Sequence, residues 1–524
     1  MRFKHSWVLA LVLTGCQVSQ PTTPKSDVKT TPDNTSTTAP VAPVTPVIAP
    51  VETPVVAAPV VTPQTQEDVW QRIAMQLEMP IPDHKTVDYY RTWYLKHPSH
   101  LKTVSQRAQP FLYLITEKIE QRGLPLELAL LPVVESSFDA FAYSHGSAAG
   151  LWQFVPSTGK MYGLEQDYWY DGRRDVDAAT DAALDFLTDL NQRFDGNWSH
   201  AIAAYNSGGG RVSSAIRKNT KAGKPIDFFS LSLPKETSAY VPKLLALADV
   251  IANQEKYGID IPPIANKPVV ELVKPGEQLD LAIAASYADI SVGELQSLNP
   301  AYNQWATSPE GNTQLLLPIA SVDKFNAQLA QNRGKGMKVA RYKVQSGDTV
   351  STLAQKYHTT SQVIRTANNM SNNNIRIGQH LLIPISTKDD KDYTLSATNR
   401  LAKTQSKARG QYKLSHTVKK GDSLWSIAKA NKISHASLAK WNGMGPRDTL
   451  RIGQDLVIWK NGADGAVIRT VFYNVRNGDT VSGIANKFKV KTIDVVKWNS
   501  LEKKKYLKPG QKLKLYVDVT KVSV

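Results

Sequence analysis

The sequence predicts a multidomain α+β chain, with a mainly helical region in the middle followed by small βααβ units. Three observations carry this. The chain has 524 residues, too many for one core at roughly 100–200 residues per domain. Apolar residues recur at helical spacing through the stretch around residues 107–134. One pattern of strand, turn, two short helices and strand appears three times in the last third. Composition removes other classes. Aromatic residues at 8% and hydrophobic residues at 41% are ordinary for globular protein, so the chain is not disordered throughout. A single cysteine can form neither an internal disulfide nor a cysteine-built zinc cluster.

The N-terminus reads as a targeting segment. Arg2, Lys4 and His5 precede an apolar run from Trp7 to Leu13, far shorter than the roughly 20 residues that span a bilayer. Leu13-Thr14-Gly15-Cys16 follows. This tetrapeptide resembles the bacterial lipoprotein lipobox, which implies a signal peptide over 1–15, acylation of Cys16 and attachment to a membrane through that residue. Gln17, where some lipoproteins carry Asp, implies the outer membrane, with the protein facing the periplasm. Residues 21–63 hold 10 Pro and 10 Thr and no aromatic residue, which cannot bury a core. Residues 16–66 therefore read as a lipidated Cys and an extended tether, reaching on the order of 130 Å in polyproline II.

The middle region, 67–262, carries the chemistry. Phe111, Leu112, Leu114, Ile115 and Ile119 set a helical period from Arg107 to Gln121, and Gly123 stops it. Pro125 suits the first turn of a next, very apolar helix over Leu126–Val134, which ends at Glu135-Ser136-Ser137. A carboxyl at the end of so apolar a run is open to desolvation, which would keep it protonated near neutral pH as a general acid requires. A helix-end Glu facing solvent fits the same stretch.

Further along stand Ser147-Ala-Ala-Gly150-Leu151-Trp152-Gln153-Phe154, then Ala203-Ala-Tyr205-Asn206-Ser-Gly208-Gly-Gly210, then Glu236-Thr-Ser-Ala-Tyr240-Val-Pro. In this order and spacing, with Glu135-Ser136 ahead of them, they resemble the soluble-type lytic transglycosylase family over residues 100–255. The resemblance implies a lysozyme-like fold with Glu135 as a single catalytic acid/base. It also implies that Ser136 and Tyr240 orient the site, that Gly150 shapes it, and that Gln153, Tyr205 and Asn206 hold sugars. Trp152 departs from the Met of many relatives, and it is expected to stack on sugar and reshape a subsite.

Asp177, Asp181, Asp185 and Asp189 recur at i+4 beside apolar residues, which reads as the solvated face of an amphipathic helix. Ordinary glycoside hydrolysis uses two carboxylates. If no second one serves, Glu135 must protonate the glycosidic oxygen and then take a proton from the substrate's own C6 hydroxyl. The family implies this non-hydrolytic outcome; the residues alone also fit a lysozyme-type muramidase. An inert wall-binding scaffold is the alternative from another class. No motif asks for a metal or organic cofactor.

The tail repeat runs Tyr342-Lys-Val-Gln-Ser-Gly347-Asp348-Thr349, His416-Thr-Val-Lys-Lys-Gly421-Asp422-Ser423 and Tyr473-Asn-Val-Arg-Asn-Gly478-Asp479-Thr480. Asn368, Asn442 and Asn499 each follow 21 residues after that Gly, and each unit closes with Gly-Gln and a strand. These segments, 341–385, 415–459 and 472–516, resemble LysM modules. The resemblance implies glycan binding between the Gly-Asp-Thr/Ser turn and the loop before the last strand. Thr387–Lys413 reads as a flexible linker, which makes the units beads on a string. Residues 263–320 look like a decayed fourth copy, with Gly276 at the turn, Asn299 at the Asn position and Glu277 in place of Asp.

The net charge of +17 is localised. Residues 341–524 carry 33 basic and 12 acidic side chains, whereas 64–262 carry 20 and 24. On a chain with an export signal, this basic tail, with its Lys503–Lys505 run, suits an anionic wall polymer and not nucleic acid. Peptidoglycan is the partner that both resemblances imply.

Overall fold

The computed structural model describes residues 61–518, apart from 145, 312, 462–467 and 502–505. The expectations for residues 1–15, Cys16, most of the tether and Lys503–Lys505 lie outside the described residues.

The middle region comprises α1 (Val69–Ala74), α2 (Lys85–Lys96), α3 (Pro98–Ala108), α4 (Leu112–Gln121), α5 (Leu131–Ser136), α6 (Pro156–Met161), α7 (Val176–Arg193), α8 (Trp198–Ser207), α9 (Gly209–Lys221), α10 (Lys235–Ala252) and α11 (Gln254–Tyr257). Side-chain caps fix several starts: Asp175 accepts from the Ala178 N–H at α7, and Asn197 from the His200 N–H at α8. Leu112, Ile115, Ile119, Leu184, Leu187, Ile202, Leu244 and Leu247 meet in one core. The Arg72 guanidinium ties α1 to Glu117 and Glu120 of α4.

Two helices differ from expectation. The period read from Arg107 to Gln121 is broken, because α3 ends at Ala108 and α4 starts at Leu112. The apolar run after Pro125 is a 3-10 turn over Leu126–Leu130 that passes into α5. Pro132 explains the restart: it lacks an N–H, and a first helical turn needs none there.

Each of the four C-terminal units is a two-stranded antiparallel sheet holding two short helices. The first has β1 (Val270–Val273), α12 (Leu281–Ala288), α13 (Val292–Leu298) and β2 (Leu315–Pro318), followed by α14 (Ile319–Gln331). The second has β3 (Lys338–Lys343), α15 (Val350–Lys356), α16 (Ser361–Ala367) and β4 (His380–Ile385). After α17 (Ala397–Ser406) come β5 (Tyr412–Thr417), α18 (Leu424–Ala430), α19 (His435–Trp441) and β6 (Asp455–Lys460). The last has β7 (Ile468–Asn474), α20 (Val481–Lys487), α21 (Thr492–Trp498) and β8 (Lys512–Asp518).

The repeated Asn has a structural cause. The Asn442 amide donates to the Leu438 and Val457 carbonyls at 2.8 and 2.9 Å and accepts from the Val457 N–H at 2.7 Å. It thus staples the second helix to the last strand and satisfies its own buried polar atoms. Asn368 and Asn499 repeat the three bonds, and so does Asn299, with Leu295 and Leu316. The degenerate unit therefore keeps the architecture of the others, although α14 carries it past residue 320.

The beads-on-a-string expectation is corrected. Thr387–Lys413 contains α17, and Tyr393 within it is buried, its hydroxyl donating to Asp280 at 2.8 Å. Trp305 donates to the His358 carbonyl across the first and second units, and Tyr412 meets Tyr516 across the last two at 5.6 Å between ring centroids. The degenerate unit also packs on the middle region, where Tyr170 and Tyr302 lie with ring centroids 5.5 Å apart. No helix among the described residues is long and apolar enough to cross a membrane.

Candidate active site

Glu135 lies one residue from the end of α5, where Ser137 turns left-handed. Leu131, Pro132 and Val133 of the same helix are buried, and Glu135 keeps a partly exposed edge. Tyr240, on α10, donates its hydroxyl to Glu135 Oε1 at 2.5 Å. Burial pushes the Glu135 carboxyl up to about 7; the Tyr240 bond pulls it down, the Glu236 charge raises it and Lys243 lowers it. Glu236, Tyr240 and Lys243 share one face of α10, at spacings of four and three. With one carboxyl oxygen held by Tyr240, the other can present a proton at neutral pH.

A loop over residues 139–154 supports the end of α5 that carries Glu135. Ser136 Oγ donates to the Pro132 and Leu151 carbonyls at 3.0 Å each, which fastens the end of α5 to this loop. The Tyr205 hydroxyl donates to the Trp152 carbonyl at 2.7 Å. Gly150 has φ +80, and a Cβ there would lie 1.9 Å from the Arg173 carbonyl oxygen. Arg173 in turn donates to the Ser147 carbonyl at 2.7 Å and the Phe154 carbonyl at 3.3 Å, while Asp171 holds its guanidinium from behind. Gln153 is left-handed, with its amide turned back to the Gly150 carbonyl at 2.8 Å. Asn206 accepts from the Thr237 hydroxyl at 2.8 Å, which leaves its N–H2 pair for a ligand carbonyl.

Trp152 is corrected. It is 0% exposed, and its indole N–H donates to the Thr180 hydroxyl at 3.0 Å, so it offers no face to a sugar. The larger side chain fills the core between the loop and α7. The acidic row on α7 is engaged elsewhere: Lys118 pairs with Asp177 and Asp181 and Arg122 with Asp181 and Asp185, while Tyr162 donates to Asp189. Among the described residues no group of three or more His, Cys, Asp or Glu side chains is placed to hold a metal.

Four supporting side chains were given no role by the sequence alone. Glu236 and Lys243 were legible from their spacing to Tyr240 on one helix. Arg173 was not, because the carbonyls it holds lie up to 26 residues away in the chain, nor was Asp171, which accepts from its guanidinium.

In the repeats, Gly347, Gly421 and Gly478 all have φ between +85 and +90, and Gly276 has +73. Asp348, Asp422 and Asp479 close the turn onto the N–H three residues earlier, at 2.7 to 2.8 Å, and accept from Tyr342, His416 and Tyr473. Thr349, Ser423 and Thr480 cap the next helix. These residues thus build the turn that the resemblance assigns to glycan.

Family comparisons agree with this layout. The family described as "Transglycosylase SLT domain" matches residues 113–228, "LysM domain" matches 342–384, 416–459 and 473–515, and "Lytic transglycosylase MltD, LysM-like domain" matches 270–334. Membrane-bound lytic murein transglycosylase D of Escherichia coli (strain K12) is 36% identical over 386 residues, covering 72% of this chain and 82% of that protein. The chain belongs to the membrane-bound lytic murein transglycosylase D family. It is a lytic murein transglycosylase with a lysozyme-like catalytic domain and LysM modules. A putative tributyltin chloride resistance protein of Alteromonas sp. (strain M-1) is 41% identical over 169 residues, 32% of this chain and 80% of its own length.

Proposed function

We propose that this transglycosylase cleaves the β-1,4 bond between N-acetylmuramic acid and N-acetylglucosamine without water, leaving 1,6-anhydro ends. The observation that carries it is the buried Glu135 carboxyl, raised to about 7 and held on one oxygen by Tyr240. Glu135 donates its proton to the glycosidic oxygen as that bond breaks. The resulting carboxylate takes the proton of the C6 hydroxyl, whose oxygen closes on C1 of the same muramoyl ring, so Glu135 ends protonated as it began. Asn206 is suited to an acetamido carbonyl, and Tyr205, Gln153 and Ser136 hold the loop and helix that frame the sugars.

Residues 67–262 act as the catalytic domain, 263–320 with α14 as a non-binding LysM-like spacer, and 341–385, 415–459 and 472–516 as murein binders. Lipidation at Cys16 and an outer-membrane address facing the periplasm complete the reading. Mass spectrometry of digested sacculi tests the chemistry. Fragments one water lighter than reducing muropeptides are expected, and reducing muramic ends would make this a muramidase instead.

A further inference from the structure

The second LysM unit, over 415–459, touches the catalytic loop directly. Asp448, in the loop between α19 and β6, accepts from the Tyr143 hydroxyl at 3.0 Å and from the Ser147 hydroxyl. Its own turn is fixed at the same time, because the Gly445 N–H donates to the carboxylate at 2.8 Å. Both catalytic-domain partners lie on the 139–154 loop that fastens α5 and Glu135.

The helix α17 reinforces this contact as a strut. Its N-terminal Ala397 N–H donates to the Asn303 carbonyl of the LysM-like unit at 2.8 Å. Arg400 lies over the Phe141 ring of the catalytic loop, 4.8 Å from the centroid. Gln405, two turns on, donates to the Asn442 amide oxygen at 2.9 Å and the Asp455 carbonyl at 3.2 Å, both in the second LysM unit. One short helix therefore grips three parts of the chain.

The contact occupies part of the loop before β6 but leaves the Gly421–Ser423 turn and the end of that loop open. Gly445 is buried, yet Gly421, Ser423, Gly453, Trp425 and Ile452 are exposed, the last two at 60% and 74%. The residue six positions after the stapling Asn is Asn374 in the first LysM, Asp448 in the second and Lys505 in the third, so one unit alone carries a carboxylate there.

We propose that the LysM unit over 415–459 is a docked extension of the catalytic domain, held by Asp448 and α17, so that a glycan strand it grips enters the Glu135 cleft in fixed register. The inference rests on the proposed Glu135 cleft and on the Gly421–Ser423 turn as a glycan site. Its occupant is the murein strand itself. Effective concentration then favours the cleft nearest the bound sugars, which a freely tethered module would not select.

In the full chain, Asp448→Ala is expected to raise KM for long murein strands at least fivefold. Turnover of a short soluble glycan should stay within twofold, because Arg173 still holds the Ser147 and Phe154 carbonyls. An unchanged KM, or a gain in activity on sacculi, would overturn the proposal, the gain by making the contact autoinhibitory. The paired substitution Ser147→Cys and Asp448→Cys gives a readout without turnover. Mild oxidation should close an intramolecular crosslink in most molecules, and thiols that stay free would defeat docking. A failed Glu135 assignment would leave the crosslink standing, and a failed crosslink would leave the anhydro product untouched.

Discussion

Glu135→Gln is expected to lower kcat on murein by about a thousandfold or more, since in the proposed mechanism one group performs both proton transfers. Gln keeps the shape and still accepts from Tyr240, so the fold and substrate binding should persist. A second effect has the opposite sign. Because burial raises the native carboxyl from 4.5 to about 7, the folded state holds this proton more tightly than the unfolded chain does. The stability it contributes is complete below about pH 4.5 and is lost as pH rises through 7. Across that window the natural protein should lose on the order of 3 kcal/mol that the Gln variant does not. Melting curves at pH 4.5 and 8.5 would show the variant gaining relative stability at the higher pH; a constant difference would contradict a Glu135 carboxyl raised by burial.

Gly150→Ala is expected to be the most damaging small substitution in the catalytic domain, costing roughly 3–5 kcal/mol. Its φ of +80 is strained for any L side chain, and the new methyl would meet backbone at 1.9 Å, which no rotamer can relieve. Moving the loop displaces the Leu151 and Trp152 carbonyls that receive Ser136 and Tyr205, so activity should fall with stability. Gly163→Ala is the control. That glycine has φ +79 with nothing within 4 Å of its Cβ, so it should cost about 1 kcal/mol and leave activity intact. Equal losses in both variants would show that the collision does not matter.

Much of this architecture was legible from local pattern. The repeat spacing located four turns and four stapling Asn residues, because each unit is closed by contacts within about 45 residues. The apolar run ahead of Glu135 left burial and a solvent-facing helix end both open, and the motifs after it singled it out by resemblance. What escaped was set by distant partners. Trp152 looked like a sugar platform until Thr180, 28 residues on, took its indole N–H. The linker looked flexible by composition, yet its Tyr393 is buried against Asp280, 113 residues earlier. The restart at Pro132 was visible in the sequence but masked by the run of leucines around it.

A single acid/base requires a carboxyl that stays protonated near neutral pH. Infrared difference spectra of the full chain, natural protein minus Glu135→Gln, would follow the Glu135 C=O band as pH changes. A band that persists at pH 6 and disappears with a midpoint near 7 is the expected result. A midpoint between 4 and 5, the range of an ordinary solvated glutamate, would contradict it.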